Sequence, residues 1–492
     1  MSIATLKPEA VWERFAAICA IPHPSHHEKA LGESIIAWAK EKGLGYKMDN
    51  AGNIALYRPA SPGKEKSPGI ILQAHLDMVP QKAANSDHDF LTDPILPRID
   101  PKDPAWVIAT DTTLGADNGI GLAMAMALMV EPELRSGPLE CLFTVDEEDG
   151  MSGAGAVEPG FVNGSILLNL DGEDADELTI GCAGSLRLQT RLSSPAENCP
   201  PGLVWLKLEL GGLLGGHSGV DINKGRANAN LLLARLLSDS KQALHLSELS
   251  GGSASNAIPR DSVAVVGLPQ SQLETFKNTI NKETAAARVA LGIKDPGLTV
   301  NMASVIGQPE KVLGKDKTES LLTLLGTIPN GLQSMEPDMP GQIRTSLNMG
   351  VLKVYAHEAG FNADITIMIR SSSDSDKENL TALVKKRLES MSTKDWSVDM
   401  NDPEGTLAWS PNSASPLLAK AKESYKELFG SYPSVASTHG GLETGLFRPR
   451  FPHWDMISFG PSIEYPHSPD ERLNIVSVDK SYRFLKHLVS RL

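Results

Sequence analysis

Seven side chains in this sequence have types and spacings that suit joint chemistry. His75 and Asp77 stand two apart at the end of the apolar run GIILQAHLDMV, which on a strand puts them on one face. Glu147 and Glu148 end the run LECLFTVDEE, and Asp171 ends SILLNLDGE. Asp117 lies in LGADNGIG, just before an apolar helical stretch, and His467 lies in YPHSPDE. Carboxylates gathered at the ends of buried strands repel and desolvate one another unless a counter-charge joins them. Divalent cations supply that charge, and His, Asp and Glu are ligands that zinc accepts. Two ions need one bridging carboxylate and about two further ligands each. His75, Asp117, Glu148, Asp171 and His467 meet that count and leave Glu147 over. A carboxylate beside a metal pair is what metal-assisted hydrolysis needs, a base that takes a proton from the attacking water and hands it to the leaving amine. Asp77 is placed to accept the second ring N–H of His75 and fix its tautomer.

The elements that must position these residues are legible as patterns. Pro8 to Lys42 carries amphipathic helical spacing interrupted by the loop IPHPSHHE, and MDNAGNIALY reads as a hairpin. The three apolar runs named above, separated by a helix from about Gly119, predict strands covered on both faces in an α/β sheet. Ligands in such sheets gather beyond the carboxyl ends of the strands, where these polar residues fall. From about Gly184 the pattern changes. Leu186–Leu192, Val204–Leu210, SVAVVGL and ADITIMIRSSS predict strands, with helices at Gly225–Leu237, Gln272–Leu291 and Lys377–Ser390. That is the make-up of a separate α+β domain. After about Val398 the α/β character returns, with helices at Pro416–Leu428 and Lys480–Leu492. The expected division is 1–184 and 398–492 as one discontinuous domain, with 185–397 inserted.

Composition narrows the partners. A net charge of −14 and the lack of any Lys/Arg-rich run exclude a nucleic-acid footprint. The longest apolar stretch, Ile120–Val130, is too short to span a bilayer, and the start MSIATLKPEAVWERF lacks the basic and apolar regions of a signal peptide. The expectation is a cytoplasmic protein with no membrane partner. Cys19, Cys141, Cys182 and Cys199 form no C-x-x-C pair and read as free thiols.

HLDMVP, LGADNGIG, TVDEEDGMSGAG, NLDGED, GGHSGVDINKGRANAN, SASNAIPR, THGGLETG and FGPSIEYPHSPDER, in this order, resemble the aminoacyl-histidine dipeptidases. These are bacterial Xaa-His dipeptidases, carnosinase-like members of the co-catalytic zinc metallopeptidases, and the motifs cover almost the whole chain. The resemblance implies an α/β fold, a discontinuous di-zinc exopeptidase catalytic domain with an inserted α+β lid domain, and a homodimer. It implies two divalent metal ions, zinc by default, with manganese or cobalt also compatible with these ligands. It makes Asp117 the bridging ligand, with His75 and Asp171 on one metal and Glu148 and His467 on the other. Glu147 would be the general base and Asp77 the orienting carboxylate. The Asp117–Asn118 peptide bond is expected to be cis.

In the inserted domain, the resemblance brings His217 of GGHSG to the active site, within the chain or across a dimer interface, as a donor to the developing oxyanion. Asn256 and Arg370 resemble lid residues that bind the backbone and C-terminal carboxylate of a small peptide substrate, and Arg344 competes with Arg370 for that role. His439 and Glu443 in THGGLE are expected on the substrate's N-terminal side. His23, His26 and His27 sit in a proline-rich loop without a carboxylate pair and read as solvated; His88, His245, His357, His453 and His487 have no motif around them. Small departures from the family pattern, a His after the first Pro of IPHPSHHE, Asp149 and Gly172, remove no ligand. Metal-dependent dipeptide hydrolysis is the leading reading. An N-acyl amino acid deacylase on the same metals is the alternative, and a non-catalytic peptide-binding module is disfavoured because every ligand and the base are present.

Overall fold

The computed structural model describes residues 3–492 and divides into two compact units, 3–182 with 409–437 and 442–492, and 183–408 with 438–441. The first unit is built on an eight-stranded sheet in the order Gly45–Met48, Ile54–Arg58, Leu139–Thr144, Ile70–His75, Ile166–Asn169, Asp455–Ser458, Glu177–Cys182, Ser434–Thr438. Its four middle strands, from Leu139–Thr144 to Asp455–Ser458, run parallel. In the two central strands, Ile70–His75 and Leu139–Thr144, every residue is buried, which is why their sequences are continuous apolar runs rather than alternating ones. On one face Ile71, Leu142 and Leu167 pack with Phe447, Phe451 and Trp454. Ile70, Leu72 and Ala74 are equally buried, and the helix Ala116–Met129 packs against their strand. That helix is buried on all sides except at Asp117. Asp117 and Asn118 depart from helical dihedrals and the peptide bond joining them is cis, so regular helix begins at Gly119, as the sequence pattern predicts.

Register sets the site. Thr144 lies opposite His75, and Asn169 opposite Gln73, so the three central parallel strands end together. The residues that follow them, Asp77, Glu147, Glu148 and Asp171, leave from one rim.

The second unit is a ten-stranded sheet whose main path alternates antiparallel neighbours, from the edge strand Thr299–Ser304 to Ser397–Met400. Helices Ala229–Asp239, Leu273–Leu291, Lys315–Thr327 and Asp374–Glu389 contribute Leu233, Phe276, Leu321 and Val384 to one hydrophobic cluster with Leu188, Leu208, Val266 and Ile367 of the strands. The expected boundary at 397/398 is corrected to 408/409. Ser397–Met400 and Glu404–Gly405 pair with Gly184–Ser194, and those ladders keep the segment in the second unit. The helix expected from Gly225 begins at Ala229, where Asn228 accepts the N–H groups of Asn230 and Leu231. The last helix begins at Ile475, earlier than expected, capped by Asn474. No helix among the described residues is long and apolar enough to cross a membrane, and all four cysteines are free thiols.

Candidate metal centre

Asp117 is the hub of the rim. Its Oδ1 lies 3.1 Å from His75 Nε2 and its Oδ2 lies 3.0 Å from His467 Nε2. His75 Nε2 is also 3.3 Å from Asp171 Oδ1, and His467 Nε2 is 3.0 Å from Glu148 Oε2. Two His–carboxylate pairs therefore share one carboxylate, an oxygen for each. The groups His75–Asp117–Asp171, Asp117–Glu148–His467 and His75–Glu147–Glu148 each bring one ligand atom per residue within 4.8 Å of the others.

The donor set fits a pair of divalent cations. Glu148 Oε1 is buried with no hydrogen-bond partner, and carboxylates outnumber the imidazoles that face them. Burial works against protonated His75, yet Asp171, Asp117 and Asp77 push its pKa well above the usual value. Hydrogen bonds to Asp117 and Glu148 push His467 up to about 11. The carboxylates that raise both rings are the same ones that would hold metal ions, so a bound cation would compete with protons there. Burial, with Asp171 and Glu148 adding to it, raises the Glu147 carboxyl well above the usual range against the pull of His75.

Asp77 does more than the sequence suggests. His75 Nδ1 lies 3.0 Å from the Asp77 backbone carbonyl and 3.3 Å from its Oδ1. The same carboxylate accepts the N–H groups of Glu147 (2.9 Å) and Glu148 (3.1 Å) and the hydroxyl of Ser25 (2.8 Å). Against the cost of burial, His75 and these N–H groups hold Asp77 well below the usual carboxylate range. One buried anion thus orients a ligand and the turn that carries Glu147.

Several participants carried weak sequence signals. Asn118 donates its amide to Asp171 Oδ1 from the residue after the hub. Glu471, four residues beyond His467, accepts backbone N–H groups from the Asp117 loop. Gln73 and Asn169, polar interruptions of apolar runs, form a buried ladder in which Asn169 donates to Gln73 and Gln73 donates to Glu443. Glu443 is fully buried and also accepts from Thr144 at 2.8 Å. Its Oε2 is thus committed to the core, while its Oε1 is buried with no hydrogen-bond partner. Burial raises its pKa to about 8.

The histidine loop also needs correction. His23 is buried and its Nδ1 faces the Ile21 carbonyl. His26 does meet a carboxylate pair, with Nε2 3.0 Å from Asp149 and Nδ1 3.5 Å from Asp146, residues far away in sequence. His27 is exposed, as expected.

The second unit gathers a different set. His217 pairs with Ala257 across a two-strand bridge beside Asn256, which is exposed. Gly219 and Val220 donate their N–H groups to His217 Nδ1 at 3.2 and 3.4 Å, which puts the ring proton on Nε2 and makes that nitrogen a donor. A Cβ at Gly219 would lie 2.9 Å from the His217 ring, so any larger residue there would displace the ring. His439 Nε2 lies 2.8 Å from Ser346 Oγ, and burial, then the Arg370 charge, lowers its pKa to about 3. Arg370, on the strand paired with Ser346, is only 8% exposed; its Nε has no hydrogen-bond partner, and burial lowers its pKa. Arg344 is bound at 2.5 Å to Asp376 and at 3.4 Å to Glu336. Of the two arginines, Arg344 already has its carboxylates.

Comparison with known proteins adds three findings. A family model described as peptidase family M20/M25/M40 matches residues 71–491. The cytosol non-specific dipeptidase of Escherichia coli (strain K12) is 38% identical over 493 residues, covering 100% of this chain and 99% of that protein. The crystal structure of the aminoacylhistidine dipeptidase of Vibrio alginolyticus superposes with a TM-score of 0.88 at 37% identity, over 100% of this chain and 98% of that one. An aminopeptidase from Bacillus cereus, 15% identical with a TM-score of 0.62 over 99% and 98% of the two chains, shares the fold.

Proposed function

This chain belongs to peptidase family M20/M25/M40, and from that premise we propose that it is a metal-dependent dipeptidase that hydrolyses small dipeptides, Xaa-His among them. The observation that carries the reading is the shared Asp117 carboxylate, one oxygen toward His75 and the other toward His467, with Glu147 beside it. His75, Asp117 and Asp171 would hold one divalent ion, and Asp117, Glu148 and His467 a second, zinc by default. Bound there, such ions polarise the scissile carbonyl and acidify the attacking water.

The protein's own groups do the rest. Glu147 Oε accepts a proton from the attacking water and returns it to the departing amine nitrogen, which avoids expelling an amide anion. Asp77 holds the Glu147–Glu148 turn and the His75 ring in register. His217 Nε2–H supplies a hydrogen bond to the developing oxyanion, a role supported by the two N–H groups on its Nδ1. Arg370 receives the C-terminal carboxylate of the substrate, a role supported by its burial without a carboxylate partner. Asn256 and His439 border the same substrate. Residues 183–408 serve as the lid and dimerisation domain of a homodimer, and the word cytosol in the name of the Escherichia coli relative favours a cytoplasmic setting.

The test is hydrolysis of Ala-His and β-Ala-His against N-acetyl amino acids, with protein stripped by chelator and reloaded with zinc, manganese or cobalt. Metal-restored cleavage of the dipeptides is the expected result. Cleavage of the acetylated substrates alone would make the chain a deacylase.

A further inference from the structure

Glu471 is buried, only 2% exposed, and carries out no step above. Its Oε2 accepts the N–H groups of Leu114 (2.8 Å) and Gly115 (3.2 Å), and its Oε1 those of Ala116 (2.8 Å) and Asp117 (3.4 Å). Four consecutive backbone donors, the last belonging to the hub of the candidate centre, thus converge on one carboxylate. The helix they open has no side-chain cap of its own, because Gly115, at φ +69°, stands at the N-cap position. Glu471 also closes the turn that carries His467. Its N–H bonds the Ser468 carbonyl, and Ser468 Oγ bonds the Tyr465 carbonyl. Tyr465 and His467 both adopt left-handed backbone conformations, at φ +55° and +58°. His75 and Asp171 differ: they end or closely follow strands whose register the sheet fixes.

We propose that Glu471 is a positioning residue that fastens the His467 turn to the Asp117 loop, and so sets the geometry of the metal position made by Asp117, Glu148 and His467. This rests on the two-metal reading above. Only an acceptor-only fork can serve four donors; a glutamine would turn its NH₂ toward two of them and leave those N–H groups buried and unsatisfied. Groups that orient metal ligands are worth about 10–100-fold in metal affinity. The Asp117–Glu148–His467 position should therefore weaken, while the one containing His75 and Asp171 is kept.

The experiment is a calorimetric zinc titration of the chelator-stripped full chain, with Glu471→Gln and Glu471→Asp beside the parent and thermal unfolding of each protein without metal. The parent is expected to take up two equivalents. In Glu471→Gln one site stays tight and the other weakens by about 10–100-fold. Glu471→Asp, which keeps the charged fork on a shorter stem, recovers part of that loss. Two unchanged sites in the folded variants, or equal weakening of both sites in step with the fall in Tm, would overturn the proposal and leave Glu471 a helix cap. Should Glu471→Gln fail to fold, Glu471→Asp decides alone: selective weakening of one site supports the proposal, and parent-like binding overturns it. A parent that binds fewer than two equivalents would instead overturn the two-metal reading itself.

Discussion

The two units differ in the kind of polar group they concentrate. Every grouping of His, Asp and Glu with metal-binding spacing among the described residues lies in the first unit. The second unit assembles donors instead, a tautomer-fixed His217, the buried Arg370 guanidinium and the neutral His439. Glu148 and Asp171 closely follow parallel strands, where register aligns them, whereas Asp117 lies in a loop whose N–H groups Glu471 accepts. The donors lie on an antiparallel sheet and a short loop bridge, where placement depends on glycines and local hydrogen bonds. The contrast is one of chemistry: candidate metal ligands in one unit, hydrogen-bond donors and a buried cation in the other.

Substitutions in each unit should therefore fail in different ways. The largest effect is expected for Asp117→Asn, which removes the shared carboxylate. Metal content by atomic absorption should fall below one equivalent and turnover to background; two retained equivalents would break the assignment of Asp117 as the hub. Glu147→Gln should keep both metals and lose about 10²–10⁴-fold in kcat. Arg370→Ala, on the recognition side, should keep metals and base and lower kcat/KM for dipeptides by roughly 10–100-fold, the worth of a hydrogen bond to a charged group. Dipeptide amides, which lack the carboxylate, should be cleaved equally by Arg370→Ala and the parent. An equal loss on amides would show that Arg370 supports the fold rather than the substrate.

The smallest expected effect concerns stability. Glu443 has a folded pKa of about 8 against an ordinary 4.5, so between these values the folded chain binds the extra proton. Stability from this group is present below about pH 4.5 and is lost as pH rises toward 8. Glu443→Gln should lack that slope. Its Tm advantage over the parent should grow between pH 5 and pH 8, by roughly 1–2 °C for each kcal/mol involved in a chain of this length; a constant difference would mean that Glu443 is ionised in the core.

Legibility in the sequence follows the same contrast. Strand-end residues were readable because a polar residue closing a continuous apolar run has few structural uses, and because several such runs recur. His75, Glu147, Glu148 and Asp171 stand out in this way, and their convergence in one rim follows from parallel register. Donors of the second unit had no such signature, and only resemblance pointed to Arg370 or His217. Partners distant in sequence were hidden. Nothing near Glu471 announces the loop at Leu114–Asp117, and the carboxylate pair that His26 meets while staying exposed comes from the distant Asp146 and Asp149. The burial of Glu443 was hidden because a charged residue in a helix start usually faces water, whereas this one is drawn into the core by Gln73 and Thr144. The domain boundary at Ala408 was hidden because short strands far along the chain return to pair with Gly184–Ser194.

The central claim is that two metal ions share Asp117. Crystals of the zinc-loaded protein, measured on both sides of the zinc absorption edge, test it most directly. The account predicts two anomalous peaks, one beside His75 and Asp171, the other beside Glu148 and His467, with one Asp117 oxygen reaching each. A single peak, or two peaks with Asp117 bound to only one of them, would contradict it.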